Sequence, residues 1–508
     1  MGKGGILILD FGSQYTQLIA RRIRELGVYS EIVPFFSARE SLEKIKPNAL
    51  ILSGGPRSVY EKDAPSIEPS LLEGKPVLGI CYGHQMMAKL LGGDVKQAKA
   101  REYGFASLRI LDPSGLLKGV GTRVWMSHGD VVEEPPEGFK VTAETENTPV
   151  AVMENREKLW FGVQFHPEVH HTQNGTEVFR NFLEISRIPR NWKLGDFIDR
   201  KVEEIRETVG NGKVICALSG GVDSTVAAVL ISRAIGGNLF CIFVNNGLLR
   251  KGEFEENLKM FRQKLHLNVK GIDASERFLN ALQGIREPEK KRKIIGKIFV
   301  EIFEEEAEKI GGIKFLAQGT TYPDVIESAG VKGPAAVIKS HHNVGGLPDR
   351  MKLKLLEPLR ELFKDEVREI GRRLGIDPHF IERHPFPGPG LAVRIVGEVT
   401  RERLRKLREA DKILEEEMKR SGIYAELWQG FAVLVPVKTV GVMGDERTYD
   451  EVIALRLVKS VDGMTADWYL PDRDFLARVS SRIVNEVKGI NRVVLDISSK
   501  PPATIEWE

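Results

Sequence analysis

Short apolar runs alternate with amphipathic stretches along the first third of the chain. The runs GILILDFG, NALILSGGP, KPVLGICYG and KLWFGVQFHPE each lead into Gly or into a polar side chain, as buried parallel strands do where they enter a turn. Between the first two runs, QYTQLIARRIRELG places its apolar residues at helical spacing. This alternation predicts an α/β domain whose strand ends carry the candidate chemistry.

A second series of the same kind begins near residue 190. The polar amphipathic stretch at 188–213 predicts a helix between two domains. KVICALSGGVDSTVAAVLISRAIG then predicts a strand, a tight glycine turn and a helix, and NLFCIFVNNGLL and IKFLAQGTT predict two further strands. The charged stretch at 286–312 is expected to be a helix with a solvated face. The middle of the chain is therefore expected to form a second parallel α/β domain.

The pattern changes again near residue 385, where prolines precede strand-like segments. GFAVLVPVKTVGVM and RVVLDISSKPPATIEWE predict strands, and helical stretches lie before and between them, which indicates an α+β architecture. We therefore predict two parallel-sheet α/β domains at 1–190 and 191–384, followed by a small α+β domain at 385–508. Within the first domain, DVVEEPPEGF (130–139) is expected to be a surface loop.

Composition and charge narrow the classes of protein. The 74 Lys and Arg against 71 Asp and Glu leave a formal charge of +3, which argues against a surface built to coat nucleic acid. Three isolated cysteines in 508 residues support neither a disulfide framework nor a structural zinc site. No signal-peptide pattern is present, and no apolar run approaches the ~20 residues of a membrane span. We expect a cytoplasmic protein with no membrane or nucleic-acid partner.

Cys81 lies at a sharp turn between an apolar run and a helical segment, in GICYGHQMMAKLLGG. At such an elbow the positive end of the helix stabilises a thiolate, and the turn aims it outward. The flanking Gly79 and Gly83 are expected to allow a strained backbone and the close approach of a substrate. His166, in FGVQFHPE, can protonate a leaving amine, and Glu168 can accept a hydrogen bond from its imidazole.

Backbone N–H groups at neighbouring strand ends are candidates for an oxyanion hole. SGGP (53–56) ends a further strand, so the N–H of Gly54 can act together with the N–H of Tyr82, which follows the cysteine. Gln85 and the SHGD segment at 127–130 are candidate contacts for the substrate. The motifs SGGP, GICYGHQ and FGVQFHPE together resemble those of the class I glutamine amidotransferases over roughly the first 190 residues.

This resemblance implies that Cys81 is a nucleophile that forms a glutamyl thioester and releases ammonia. His166 and Glu168 would complete the triad. Cys216 and Cys241 lie inside the apolar runs VICAL and FCIF and are expected to be core residues.

SGGVDST (219–225) follows a predicted strand and opens a helix, which is a common position for a phosphate cradle. Its glycines leave backbone N–H groups free to face an anion, and Asp223 can hold Mg²⁺ on bound phosphates. The loop lacks the GxxxxGK[ST] pattern of a Walker A motif. It resembles the PP-loop of the ATP pyrophosphatases, which cleave ATP between its α- and β-phosphates. The ATP-binding residues expected are Ser219, Gly220, Gly221, Val222, Asp223, Ser224 and Thr225.

Two further cations are candidates near the phosphates. Lys339, in IKSHHNVGG, lies in a polar, glycine-rich segment that predicts a lid, and Arg277 is the second cation. The two halves of the chain complement each other, because ammonia from glutamine can displace AMP from an adenylated oxygen. The sequence therefore predicts an ATP-dependent amination of a carbonyl carbon.

Several more segments lie in order along the whole chain: GTTYPDVIES, KSHHNVGGLP, RHPFPGPGLAVR, VGVMGDERTYD, DGMTADWY and KPPATIEWE. They resemble the glutamine-hydrolysing GMP synthase family. The resemblance implies that xanthosine monophosphate (XMP), ATP and glutamine are converted to GMP, AMP, pyrophosphate and glutamate, with Mg²⁺ accompanying ATP. It also implies that the C-terminal domain forms a homodimer and completes the XMP site. The XMP contacts implied are Arg277, Gln429, Lys500 and Glu506.

Two further features concern the order of the C-terminal tail and the residue at the expected ATP-side turn. The rigid Pro501–Pro502 pair and Trp507, which is expected to be buried, indicate an ordered tail. Asn245, in VNNGLLR, stands where the family commonly has an acidic residue.

Three other classes share part of this pattern. An NAD synthetase also carries a PP-loop, but it would need a nitrilase-type amidase in place of the CYGHQ and FHPE motifs. An inactive amidotransferase-like binding protein would lack Cys81, His166 or Glu168, and all three are present. A sulfur-inserting tRNA enzyme would need a nucleic-acid surface, which the near-neutral charge does not favour.

Overall fold

The computed structural model describes residues 4–329, 353–443, 446–460, 463 and 465–508. The main division of the chain falls between Lys193 and Leu194 and separates two compact units. The three domain ranges predicted from the sequence stay a prediction. The candidate lid residue Lys339 lies outside the described residues. In the described part of the chain, no helix has the length and apolar character needed to cross a membrane.

The first unit is built on an eight-stranded sheet with the order β2-β1-β3-β4-β10-β9-β8-β6, and β5 pairs separately with β7. Its strands are β1 (Ile6–Asp10), β2 (Ser30–Pro34), β3 (Ala49–Leu52), β4 (Val77–Ile80), β5 (Asp94–Ser107), β6 (Arg109–Ile110), β7 (Arg123–Glu134), β8 (Lys140–Glu144), β9 (Val152–Asn155) and β10 (Trp160–Val163). Its helices are α1 (Thr16–Glu25), α2 (Ala38–Ile45), α3 (Tyr82–Leu90) and α4 (Thr176–Ile185).

The parallel part of this sheet confirms the α/β prediction. Strands β2, β1, β3, β4 and β10 all run in the same direction. Their residues are almost wholly apolar and buried, because helices cover a parallel sheet on both faces. The carboxyl ends of β3, β4 and β10 therefore lie side by side at one edge, and each leads directly into one of the three motifs.

The segment at 130–139 was expected to be a loop, and this prediction is wrong for its first half. Strand β7 continues to Glu134 and pairs with β5. Val131 and Val132 are both buried within this hairpin, so apolar and polar residues alternate less clearly along the segment than in a strand with one exposed face. Only the proline- and glycine-containing second half leaves the strand.

The second unit contains a five-stranded parallel sheet, β13-β12-β11-β14-β15, and a second sheet in which β17 pairs with β16, β18 and β19. Its strands are β11 (Lys213–Leu218), β12 (Leu239–Asn245), β13 (Val269–Asp273), β14 (Ile313–Ala317), β15 (Lys354–Leu356), β16 (Gln429–Met443), β17 (Glu446–Lys459), β18 (Asp467–Trp468) and β19 (Ile490–Leu495). The helices that follow Lys193 along the chain are α5 (Leu194–Val209), α6 (Val222–Ile235), α7 (Glu253–Gln263), α8 (Ser275–Leu282), α9 (Pro288–Ile310), α10 (Tyr322–Ala329), α11 (Lys364–Arg373), α12 (Pro378–Ile381), α13 (Arg401–Arg420) and α14 (Arg473–Glu486).

The parallel sheet and the mixed sheet of this unit share one continuous apolar core. It extends from Ile215 on β11 to Ile490 on β19. Cys216 and Cys241 are buried and lie opposite each other in the β11–β12 register, which confirms the prediction that they are core residues. The predicted class, parallel α/β followed by α+β, is confirmed.

Helix α9 confirms the predicted helix but is not simply a solvated face. Lys291 is 0% exposed, and its ammonium group donates to the carbonyls of Ala392 and Ile395 at 3.1 and 2.9 Å and also pairs with the Glu508 carboxylate. Apolar side chains such as Ile295 and Ile302 are buried on the same helix. Because charged residues are so frequent in this stretch, the sequence did not predict that one face of the helix is buried.

Candidate active sites

Cys81 occupies a strained turn between β4 and α3. Its φ of 50° and ψ of −106° lie in a region that residues other than glycine rarely adopt, at a cost of about 1–3 kcal/mol. Backbone hydrogen bonds hold the turn, because the Cys81 N–H donates to Val163 O at 2.8 Å and the Gln85 N–H donates to Cys81 O at 3.1 Å. The thiol lies 3.6 Å from the carbonyl oxygen of Ser127. This is the geometry of a nucleophile elbow.

The two glycines beside the elbow serve packing, and the expectation that they also allow the close approach of a substrate stays a prediction. A Cβ on Gly83 would lie 2.3 Å from the Leu52 carbonyl oxygen, and one on Gly79 would lie 2.7 Å from the Gly83 carbonyl oxygen. Helix α3 can therefore lie directly against β3 and β4 only because both positions lack side chains. This contact places the N-terminus of α3 at the cysteine.

His166 and Glu168 form a buried pair on the loop after β10. Nδ1 of His166 lies 2.7 Å from Oε1 of Glu168, and Thr172 donates to the His166 carbonyl at 2.6 Å. Burial alone lowers the pKa of His166, but the charges of Glu168 and Cys81, with the hydrogen bonds to both, raise it well above its usual value. The imidazole therefore lies between the Cys81 sulfur and the Glu168 carboxylate, and both groups favour its protonated form.

The proposed oxyanion donors lie at the ends of β3 and β4. In the described part of the chain, no acceptor is found for the backbone N–H of Gly54 or of Tyr82. A Cβ on Gly54 would lie 3.1 Å from Cε1 of His166, so this glycine lies directly against the imidazole of the candidate triad. The Ser53 hydroxyl accepts from the Phe11 N–H at 3.0 Å and donates to the Gly54 carbonyl at 2.8 Å, which fixes the loop.

The candidate substrate contacts form a polar layer beside the elbow. Gln85 donates to the Asp130 carbonyl at 2.6 Å and to Oε1 of Gln164 at 3.1 Å. Nε2 of His128 lies 3.3 Å from a carboxylate oxygen of Glu102. Burial raises the pKa of Glu102, but hydrogen bonds from His128 and from two threonines lower it to about 2. The 127–130 segment is thus held by buried polar contacts immediately behind Ser127.

Sequence reasoning missed Tyr15, whose ring meets the His166 imidazole edge-on with centroids 5.0 Å apart. Tyr15 lies between β1 and α1, and the carboxyl end of β1 belongs to the same sheet edge as the ends of β3 and β4. The convergence of parallel strand ends was the signal that would have identified it.

Replacing Glu168 with Gln is expected to lower the glutaminase kcat by about 10²–10⁴-fold, as loss of the third triad member does elsewhere. It should also move the alkaline limb of the kcat profile to lower pH. With His166 as the proposed proton donor to the leaving ammonia, activity is lost as pH rises through the His166 pKa, and the charge of Glu168 is the largest of the contributions that raise that pKa. A pH series of glutamate release measures both effects.

Glu177→Gln provides the control for this experiment. Glu177 lies on α4 and pairs with Arg180 at 3.1 Å on the surface. The pH profile of glutamate release by Glu177→Gln should match that of the wild type. An unshifted alkaline limb in Glu168→Gln would contradict the assignment of the charge pair.

The second site is the turn between β11 and α6. Gly220 has a φ of +79°, and the hydroxyls of Ser219 and Ser224 lie 3.0 Å apart across the loop. The Ser219 hydroxyl accepts from the Gly221 N–H at 3.2 Å, and Thr225 donates to the Gly221 carbonyl at 2.8 Å. Val222 and Asp223 begin the first turn of α6, where backbone N–H groups and the helix dipole favour an anion.

Three neighbours of this loop escaped the sequence reasoning. A Cβ on Gly319 would lie 2.9 Å from the backbone of Asp223 and Ser224, so the loop after β14 abuts the start of α6. Arg383 donates to Oδ1 of Asn257 at 2.9 Å and lies 3.5 Å from the Gly220 carbonyl. These residues support the loop from behind.

Asn245 ends β12 and its side-chain oxygen accepts from the Gly247 N–H at 3.0 Å. This is an Asx turn, which a carboxylate could form in the same way. Asn245 can therefore form the same turn that an acidic residue would form at this position.

The structure brings together two of the four XMP candidates. Gln429 donates to Oε1 of Glu506 at 2.8 Å and to the Pro385 carbonyl at 3.0 Å. Lys500 instead donates to the Gly463 carbonyl at 2.7 Å. Arg277 pairs with two carboxylates of α9, those of Glu301 and Glu305, at 2.8 and 2.9 Å.

Trp507 is 39% exposed, so the expectation that it is buried is wrong. Its indole N–H nevertheless donates to Asp496 at 2.9 Å, and this contact orders the segment.

Three family models match the chain. The class I glutamine amidotransferase model covers residues 7–185, the NAD synthase model covers residues 192–296, and the GMP synthase C terminal domain model covers residues 416–507. Together with the elbow triad and the PP-loop, these matches define a glutamine amidotransferase joined to an ATP-dependent ligase. The NAD synthase model covers only the segment around the PP-loop, so it does not support an NAD synthetase for the whole chain.

Curated relatives extend over the full length. A GMP synthase (glutamine-hydrolysing) of Aquifex aeolicus strain VF5 is 59% identical over 512 residues, which covers 100% of each chain. Those of Nitratidesulfovibrio vulgaris strain DP4 and Brachyspira hyodysenteriae strain WA1 are 57% and 58% identical and cover 99% of each chain. The chain belongs to the family of glutamine-hydrolysing GMP synthases.

Proposed function

We propose that this chain makes GMP from XMP, with glutamine hydrolysis in its first unit and ATP-dependent amination in its second. The observation that carries the proposal is the triad at the elbow, Cys81, His166 and Glu168, in one chain with a PP-loop at Ser219–Thr225. Neither site alone explains the other, because the first produces ammonia and the second activates an acceptor for it.

In the first site the Cys81 thiolate attacks the side-chain amide carbon of glutamine. The N–H groups of Gly54 and Tyr82 stabilise the oxyanion that forms. The His166 imidazolium, held by Glu168, donates its proton to the leaving nitrogen. Ammonia then departs, and a glutamyl thioester remains on Cys81. Water, deprotonated by His166, then hydrolyses the thioester to glutamate and restores the thiolate.

In the second site the C2 oxygen of XMP attacks the α-phosphorus of ATP, and pyrophosphate leaves. The backbone N–H groups and hydroxyls of the 219–225 loop bind the departing pyrophosphate. Ammonia then adds to C2, and AMP departs with the former C2 oxygen, which gives GMP. Gln429 and Glu506, which contact each other, and Lys500 and Arg277 are the residues proposed to hold XMP.

Magnesium fits this site through its oxygen donors. Asp223 supplies a carboxylate in the first turn of α6, followed along the chain by the hydroxyl-bearing Ser224 and Thr225, and such hard oxygens suit Mg²⁺. Within the described residues, no group of three or more His, Cys, Asp or Glu side chains could hold a metal by itself. The ion would therefore be held mainly by the phosphates of ATP, with Asp223 as its protein ligand, and it would neutralise charge on the leaving pyrophosphate.

We also place the homodimer contact on the second sheet. Val440 and Tyr449 are directly paired across β16 and β17, so their side chains share a face, and Val442 lies two residues further on the same face. They are exposed by 54%, 57% and 73% respectively, which is unusual for apolar side chains of a paired strand. A dimer would cover them.

The cytoplasm is the compartment that suits the three free cysteines.

The dimer is tested by sedimentation of the wild type and of Val442→Glu. The wild type should sediment as a dimer, and the variant should shift to the monomer as the loading concentration falls. Lys459→Glu on β17, paired with Glu426 at 3.2 Å, is the control for adding negative charge to this sheet. A wild type that stays monomeric at every concentration would refute the dimer.

The reaction is tested by product analysis with XMP, ATP, Mg²⁺ and glutamine. The proposal predicts GMP, AMP, pyrophosphate and glutamate in equal amounts. Formation of ADP and phosphate instead would refute adenylation, and failure to use XMP with either glutamine or ammonium would refute the acceptor.

A further inference from the structure

Arg394 is one of the largest side chains that the second unit buries completely. It follows the PFPGPG segment, in a short 3₁₀ turn at Gly390–Arg394, and its side chain is 0% exposed. A buried guanidinium is costly unless its charge and its donors are compensated. The identity of its partners therefore indicates what the residue is for.

The guanidinium holds the carboxylate of Glu506 with two hydrogen bonds. Nε lies 3.1 Å from Oε2, and Nη2 lies 2.9 Å from Oε1. The cation also lies over the ring of Phe431, with 4.0 Å between Cζ and the ring centroid, and 5.1 Å from that of Phe386. Nη1 is buried and finds no hydrogen-bond acceptor in the described part of the chain. Among the residues that the structure describes, the arginine is thus oriented towards Glu506 and the two rings.

Glu506 differs from its partner in that its side chain is still 19% exposed. Its Oε1 also accepts from Gln429, so three donors fix the plane of the carboxylate while one edge stays accessible. A carboxylate prepared in this way can accept hydrogen bonds from a ligand without first being ordered.

We infer that Arg394 is a positioning residue for the nucleotide substrate, and that it acts by fixing the carboxylate of Glu506 in the orientation that receives XMP. The inference rests on the proposed function, in which Glu506 contacts XMP. Arg394 itself stays behind the carboxylate and touches no substrate.

Another buried arginine, Arg456, shows what a purely structural role looks like here. It is equally buried, but three of its contacts are main-chain carbonyls, those of Ser498 at 2.6 Å, Thr504 at 3.2 Å and Ile505 at 3.3 Å, and its one carboxylate partner is Asp496 at 3.4 Å and not Glu506. Arg456 therefore holds the backbone of the tail, whereas Arg394 holds one functional side chain of the same tail. This division makes Arg456 the matched control.

The experiment measures ammonium-dependent GMP formation with Arg394→Lys and Arg394→Gln. Lysine keeps the charge but not the two parallel donors, so we expect the KM for XMP to rise about 10-fold in Arg394→Lys and more in Arg394→Gln. The KM for ATP should stay within about twofold of the wild type, because the PP-loop is unaffected. If Arg394→Gln fails to fold, Arg394→Lys carries the test.

A double-mutant cycle separates positioning from stabilisation. Once Glu506 is replaced by Gln, there is no carboxylate to orient, so adding Arg394→Lys should change the KM for XMP by less than about twofold. The effects of Arg456→Lys and Glu506→Gln should instead multiply.

Multiplying effects for Arg394 and Glu506, or a KM for XMP unchanged in Arg394→Lys, would overturn the inference while leaving the proposed function intact. A wild type that makes no GMP from XMP would overturn the proposed function, and the inference with it.

Discussion

Cys81→Ala is expected to abolish glutamine-dependent GMP formation while leaving ammonium-dependent GMP formation within about twofold of the wild type. Removal of a catalytic nucleophile from a triad costs about 10⁶-fold, because the remaining residues cannot form the covalent intermediate. External ammonia bypasses this intermediate and needs only the ATP-dependent site. Rates of GMP formation with saturating glutamine and with saturating ammonium measure the two activities in the same preparation.

Cys216→Ala is the matched control, since Cys216 is a buried cysteine in β11 with no part in the glutaminase site. It should retain both activities. Glutamine-dependent turnover that survives in Cys81→Ala would contradict the assignment of the nucleophile. Loss of both activities in that variant would contradict the separation of the two sites.

Gly220→Ala is expected to lower GMP formation by about 10²-fold or more with either nitrogen donor. The φ of +79° at Gly220 disfavours alanine, and its Cβ would lie 2.7 Å from Nδ2 of the buried Asn257. The loop must therefore shift, and misplacement of a bound group by about 1 Å is enough to cost 10²-fold. Basal glutaminase activity, measured without ATP and XMP, should be unchanged.

Gly236→Ala is the control at the opposite end of the same helix. Gly236 also has a positive φ, 55°, but a Cβ there would meet nothing within 4 Å. It carries the conformational cost without the steric conflict, so its synthetase rate should stay near that of the wild type. Equal losses in the two variants would mean that Gly220 acts through the stability of α6 and not through the phosphate loop.

The sequence predicted best what local pattern determines. The buried strands β1, β3, β4 and β10 read as continuous apolar runs, and the residues that follow them carry the chemistry. Because the ends of parallel strands converge, Cys81 and His166 could be placed in one site although 85 residues separate them along the chain. The contact between His166 and Glu168 is as expected.

Pairing partners distant in sequence were harder to predict. Strand β5 was missed because much of its length is polar, and it is stabilised by pairing with β7 and not by its own burial. The same pairing extends β7 into the segment expected to be a loop. Gly79 and Gly83 were recognised as necessary, but only the structure shows that they are needed for contact between α3 and its neighbouring strands.

Buried charge was the least visible feature of the sequence. Lys291 and Arg394 read as ordinary surface cations, since most lysines and arginines are exposed. Each is instead compensated by carbonyls or carboxylates from segments about 100 residues away. Such a contact leaves no periodic signal, so the support behind Glu506 could not be predicted even though Glu506 itself was.

The central claim is that one chain releases ammonia from glutamine and places it on C2 of XMP after adenylating the C2 oxygen. The most direct measurement supplies amide-¹⁵N glutamine and XMP labelled with ¹⁸O at C2, and analyses the products by mass spectrometry. The account predicts ¹⁵N in GMP and one ¹⁸O in the phosphate of AMP. An ¹⁸O label found in pyrophosphate or water, or GMP that lacks ¹⁵N, would contradict it.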